Sequence, residues 1–144
     1  VVHGVSVDEV HFHEVGAADA LADVVGTAAG LHELGVTRLF VGSVNVGSGT
    51  VACEHGVLPV PAPATARLLE GWRTHVAGPA RELTTPTGAA LLTALGRQVA
   101  APPRLRGLSC APPPGRRRVR AVGAGRSDPP GWANLLRLVV GEAA

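Results

Sequence analysis

Val10-His11-Phe12-His13-Glu14-Val15-Gly16, then Asp19 through Leu34, then Arg38-Leu39-Phe40-Val41 with Val44, decide how this chain folds. In the first segment Val10 and Phe12 alternate with Glu9, His11 and His13. That period of two belongs to a short strand with one apolar face, and Gly16 ends it. In the second, Leu21, Val24, Val25, Ala28, Leu31 and Leu34 recur at helical spacing. Asp19 suits the helix start, and Gly35 sits where a C-terminal glycine cap belongs. The third is β-branched and aromatic, as strands are. Strand, helix, strand predicts a βαβ-type unit. The expected fold is therefore α/β: a single loop-rich domain with a mixed sheet and two to three helices.

Downstream, Gly47-Ser48-Gly49-Thr50 reads as a loop and Val51-Ala52-Cys53 as a short strand. Pro59 and Pro61 force extended backbone, while Pro63 suits the first turn of a helix running through Leu69 and stopped by Gly71. The clearest helix start is Thr84-Thr85-Pro86-Thr87-Gly88, with Thr85 as N-cap, Pro86 as first helical residue, and Gly96 as the close. Residues 100–118 are rich in Pro and Arg and read as a linker or exposed loop. Arg118 to Val122 suits an edge strand, and Leu135 to Val140 a closing strand.

The 144 residues are one domain's worth, and 46% of them are hydrophobic, enough for a core. All 13 basic residues are Arg, and Lys, Ile, Met and Tyr are missing, which fits a GC-rich genome. No apolar run approaches the ~20 residues of a membrane span, and no secretory leader is visible. Cys53 and Cys110 are too few for a disulfide scaffold and read as two cytosolic thiols. A formal charge of +2 and 3% aromatics argue against a nucleic-acid binder. The missing Met and the start at Val1 fit a chain cut from a longer one.

Chemistry concentrates in few places. On a strand, His11 and His13 project to one side about 6.6 Å apart, so two imidazoles can lean onto one metal. Glu14, His55, Asp19 and Asp23 are further candidate ligands. The alternative is a pair of partly exposed strand histidines bonded to neighbours. At Thr85-Pro86-Thr87-Gly88 a helix N-terminus and hydroxyls suit phosphate, unless Thr85 merely caps its own helix. Gly47-Ser48-Gly49 lets backbone approach a ligand, or is simply a tight turn; without a following Gly-Lys-Ser/Thr it is no P-loop. Arg116 to Arg120 could hold an anion, or form a solvated loop.

Read in order, these segments resemble the LarC family. The resemblance runs through Val10-His11-Phe12-His13-Glu14-Val15-Gly16-Ala17, Asp19, Asp23-Val24-Val25-Gly26, Gly47-Ser48-Gly49 and His55-Gly56-Val57-Leu58-Pro59-Val60-Pro61-Ala62-Pro63-Ala64-Thr65. It continues through Leu83, Thr85-Pro86-Thr87-Gly88-Ala89-Ala90-Leu91, and Gly123-Ala124-Gly125 with Asp128, Asn134, Leu136 and Arg137. Asn45 departs from the family's pattern, standing where a proline is expected before the Gly-Ser-Gly loop. Family members are also longer, so residues 1–144 would be part of the N-terminal half, and inactivity without the other parts is compatible with that.

The resemblance implies a cytoplasmic, CTP-dependent nickel-insertion enzyme of the lyase or metal chelatase class. Its substrate would be pyridinium bisthiocarboxylic acid mononucleotide, activated by cytidylylation with Mg or Mn beside the CTP, before nickel enters to form the nickel-pincer cofactor. Metal ligands would come from His11, His13, Glu14, His55, Asp19 and Asp23; phosphate would lie at Thr85, Thr87, Gly88, Gly47, Ser48 and Gly49. A base must take the ring proton, and histidine suits that by pKa. Implied partners are the enzyme's remaining domains and a lactate racemase-like acceptor; a homo-oligomer is compatible. Two other readings stand beside it: a non-catalytic metal- or nucleotide-binding fragment, and a metal-dependent hydrolase using His11-x-His13.

Overall fold

A computed structural model describes residues 18–53, 56–101, 103, 105–106, 120–124, 131–132 and 135–143. The chain divides into two compact units, Val1–Ala100 and Ala101–Ala144. The expected α/β class holds: among the described residues three helices accompany parallel and antiparallel strand pairs, and the strands are joined as five two-stranded ladders. The expected strand at Val10–Phe12 lies outside the described residues.

In the first unit α1 spans Ala18–Glu33. It ends as Gly35 predicts. Gly35 turns left-handed at φ 64, its N–H donates to the His32 carbonyl, and the Val36 N–H reaches back to Leu31. These two bonds satisfy carbonyls that the helix end would leave unpaired. The apolar positions of α1 are not gathered into the core. No residue of α1 is buried, and Leu21 and Val25 are 63% and 65% exposed.

Strand β1 (Leu39–Val41) runs through Gly42 and Ser43 into β2 (Val44–Asn45), so one stretch of chain supplies two short strands. β3 (Thr50–Cys53) and β4 (Gly56–Pro59) form an antiparallel hairpin in which Cys53 pairs with Gly56. Helix α2 (Pro63–Leu68) opens on Pro63, and Gly71 follows it at φ 78. β5 (Thr74–His75) then pairs parallel with β2. Sequence periodicity did not indicate β5, since two residues are too few to show a period.

Helix α3 (Pro86–Leu95) leads without any loop into β6 (Gly96–Gln98), which pairs parallel with β1. Gly96 closes α3 as expected, but with extended backbone, not a left-handed cap. A Cβ there would stand 2.6 Å from both the Leu92 carbonyl and Val41 Cγ2. Only a glycine fits where a helix turns directly into a strand against its neighbour.

The core of this unit sits where these elements converge. Val44, Val46, Leu69 and Ala89 are buried together, with Val41, Trp72 and Leu92 packed on them. Each buried Val or Leu contributes roughly 1.5–3 kcal/mol. Thr65 is wholly buried, and its hydroxyl has no hydrogen-bond partner among the described residues.

In the second unit, β7 (Leu105–Arg106) pairs antiparallel with β10 (Glu142–Ala143). β8 (Arg120–Ala124) pairs antiparallel with β9 (Leu135–Val139), close to the strands expected at 118–122 and 135–140. Leu105–Arg106 is thus a strand within the Pro- and Arg-rich stretch 100–118.

Two glycines with the same backbone sign separate strain from collision. Gly47 has φ 80, and a Cβ there would run into the Arg81 carbonyl; Gly71 has φ 78 with nothing within 4 Å. Gly71→Ala is expected to cost about 1–2 kcal/mol of stability, the left-handed penalty alone. Gly47→Ala is expected to cost clearly more, at least about 3 kcal/mol, because the chain must also shift. Urea denaturation midpoints of the two variants check this.

Candidate phosphate-binding loop and the Glu82 carboxyl

The parallel pair β2 and β5 points its carboxyl ends at one region. There β2 continues into Val46 and Gly47-Ser48-Gly49, and β5 into residues 76–80. Ligands of α/β proteins gather at such strand ends. The returning chain then locks the loop. Gly47 faces Glu82 in an antiparallel bridge, the Ser48 N–H donates to the Arg81 carbonyl, and the Leu83 N–H donates to Val46. Gly49 has φ 81, and a Cβ there would lie 3.2 Å from the Ala80 carbonyl. Glycine at 47 and 49 is therefore called for by contact with residues 80–83, whatever else the loop binds.

Asn45 shapes the entry to this loop. Its side-chain oxygen accepts from the Gly47 and Ala77 N–H groups at 3.2 Å, and its Nδ2 donates to the Ala77 carbonyl at 3.0 Å. Its own carbonyl accepts from the Thr84 hydroxyl at 2.7 Å. A proline would supply none of the three side-chain bonds. Asn45 thus makes a hydrogen-bonded junction between β2, residue 77 and residue 84.

Thr84 is bonded to the Asn45 carbonyl and leads into α3, so residues 81–84 join the glycine loop to the N-cap of α3. Thr85 caps its own helix: its side chain accepts from the Gly88 N–H at 3.2 Å, and its carbonyl accepts from Ala89. Pro86 carries no N–H. The first turn of α3 thereby offers an incoming anion the Thr87 amide and hydroxyl, a smaller set than an uncapped helix start would present.

Asp19 and Asp23 lie one turn apart on α1, both exposed. No hydrogen bond among the described residues ties them to the loop. His11, His13, Glu14 and His55 lie outside the described residues. Among the described residues no group of three or more His, Cys, Asp or Glu could hold a metal ion. No described helix is long and apolar enough to cross a membrane. At the β2–β5 pair itself, the Ser43 hydroxyl just ahead of β2 lies 3.0 Å from His75 Nδ1 of β5, at the surface.

The residue that sequence reading passed over is Glu82. Its Oε1 is shielded from solvent and has no hydrogen-bond partner among the described residues. Burial pushes its carboxyl pKa up, because the charged form loses hydration. The sequence signal was slight: a lone acid three residues ahead of a threonine-capped helix.

This carboxyl binds its proton more tightly in the folded chain than in the unfolded one. The folded state is then favoured below the ordinary carboxylate pKa and loses stability as pH rises through the raised value. Glu82→Gln is expected to remove that loss. Its stability advantage over the parent should be small at acid pH and grow to a plateau toward neutrality, as followed by thermal melts across the pH range.

Residues 1–144 match the family described as nickel insertion protein. Over 143 residues the chain is 48% identical to a pyridinium-3,5-bisthiocarboxylic acid mononucleotide nickel insertion protein of Nocardioides sp., covering 99% of this chain and 34% of that protein. It is 47% identical over 148 residues to a putative nickel insertion protein of Syntrophobacter fumaroxidans, with the same two coverages. A pyridinium-3,5-bisthiocarboxylic acid mononucleotide nickel insertion protein of Akkermansia muciniphila is 52% identical over 101 residues, 70% of this chain and 25% of that protein. No solved structure matches. The chain spans about a third of the length of the first of these relatives, and it belongs to the nickel insertion protein family, the LarC family.

Proposed function

We propose that this chain is part of an enzyme that inserts nickel into pyridinium-3,5-bisthiocarboxylic acid mononucleotide, and that nucleotide phosphate binds at the Thr87 amide and hydroxyl, at the α3 end of the segment that closes the Gly47-Ser48-Gly49 loop. One observation carries the reading: the glycine loop is bonded to residues 81–83 at the strand ends, immediately ahead of the α3 N-terminus. The N–H groups of Gly47, Ser48 and Gly88 are taken by Asn45, Arg81 and Thr85, so the Thr87 amide and hydroxyl at the positive end of the α3 dipole are what suits an anion. The names of the relatives supply the substrate class.

The remaining roles follow from ligand chemistry. His11, His13, Glu14 and His55 would receive the incoming nickel ion, since imidazole suits a borderline metal. Asp19 and Asp23 fit Mg or Mn, which needs only one or two carboxylates when phosphates and water complete its shell. Bound there, such an ion would neutralise phosphate charge during cytidylylation by CTP. Thr85 serves by capping α3 and so fixing where the Thr87 amide points. The family's remaining domains and a lactate racemase-like acceptor are the partners this activity calls for.

Calorimetric titration of the chain with Ni2+ and with Mn–CTP tests the assignment. Replacing His11 and His13 together by Ala should weaken nickel binding about tenfold or more while leaving Mn–CTP binding essentially unchanged. Thr87→Val should do the reverse. Variants that bind both ligands as the parent does would overturn it.

A further inference from the structure

Helix α1 carries a face that nothing among the described residues covers. Leu21, Val24, Val25, Ala28 and Leu31 recur at i, i+3, i+4, i+7 and i+10. At about 100° of turn per residue they span roughly 120° of the helix, the width of a stripe that globular proteins bury. Leu31, at one edge of it, is half-buried. Leu21, Val24 and Val25 remain 63%, 46% and 65% exposed. Asp19 and Asp23 fall on the opposite side of the helix, and α1 holds no Arg.

Propensity holds this helix only weakly. Even alanine-rich helices are marginal in water below ~12–15 residues. α1 has 16 residues, and Gly26 and Gly30 in its interior are both poor helix formers. A firm helix therefore calls for contact along the open stripe. An open apolar stripe at core spacing marks an interaction surface. The relatives supply the chain to cover it. Residues 1–144 correspond to 34% of the Nocardioides protein and of the Syntrophobacter protein, so roughly two-thirds of each lies outside the matched stretch.

We propose that the Leu21, Val24 and Val25 face is an intramolecular docking surface, covered by an apolar, non-acidic surface from the remaining two-thirds of the family's enzyme. The charge of α1 sets the second condition, since acids brought against Asp19, Asp23 and Glu33 would be repelled. This docking rests on the family membership reported above and deepens the reading of the remaining domains as partners; it does not depend on nickel or nucleotide chemistry. It leaves Asp19 and Asp23 facing away from the docked surface, so their Mg or Mn reading stands or falls separately.

Hydrogen exchange followed by mass spectrometry, on residues 1–144 and on the full-length Nocardioides relative, tests the docking. In residues 1–144 the amides of positions 22–33 should exchange within about tenfold of the unfolded rate. Their counterparts in the full-length relative should be slower by about a hundredfold or more, because burying three apolar side chains opposes opening. Leu21→Ser with Val25→Ser should leave the melting temperature of residues 1–144 essentially unchanged. The matching substitutions in the relative should return the helix to fast exchange. Equal exchange in the two proteins overturns the docking. So does slow exchange in residues 1–144 that the serine variant loses: sedimentation as a monomer would then show that this chain's own residues cover the stripe, and sedimentation as a dimer that a second copy does. None of these outcomes alters the nickel and Mn–CTP titrations, so a failure here leaves the nickel-insertion reading standing.

Discussion

Two side-chain amides hold β5 in place, and the candidate site depends on them. Thr74–His75 is a two-residue strand, too short to fix its own register against β2. Gln98 sits at one end: its Oε1 accepts from the Arg73 N–H at 2.6 Å, while its Nε2 donates to the carbonyls of Arg73 and Gly42. Asn45 sits at the other, bonding both the N–H and the carbonyl of Ala77. Each carboxamide imitates a peptide group on a neighbouring strand. Together they bracket residues 73–77 and join the β1–β6 pair to the β2–β5 pair.

Everything downstream inherits that bracket. Residues 76–80 can turn and come back as residues 81–83 along the glycine loop only because position 77 is anchored. Thr84 then reaches the Asn45 carbonyl and delivers the chain to the N-cap of α3 at a set point. A hydrogen bond to a neutral partner contributes only about 1 kcal/mol net. The value of these lies in placement: Glu82 and Thr87 are five positions apart, on either side of Thr84, whose hydroxyl is held by the Asn45 carbonyl.

The parts legible in the sequence were those set by local chemistry. Thr85 and Pro86 start α3, Pro63 starts α2, and Gly35 caps α1, because caps and ring constraints act within a few residues. The loop at Gly47-Ser48-Gly49 was legible as a loop. Its partner was not, since residues 80–83 approach it through tertiary pairing that no period records. Glu82 was illegible for the same reason: whether a carboxyl is buried depends on chain more than thirty residues away. The apolar spacing of α1 gave a correct helix but says nothing of what covers that face. His11, His13, Glu14 and His55 carry the metal reading on spacing and family likeness, outside the described residues.

Helix α1 has a further consequence for how the first unit behaves as a cooperative body. With no buried residue, it takes little stability from burial. Its integrity rests on intrinsic propensity and on the bonds at Gly35, and Gly26 and Gly30 in its interior each cost about 1 kcal/mol relative to alanine. Opening α1 therefore exposes almost no core. Its backbone amides belong to a low-energy opening unit, separate from the β2–β5–α3 assembly, whose protection is tied to global unfolding.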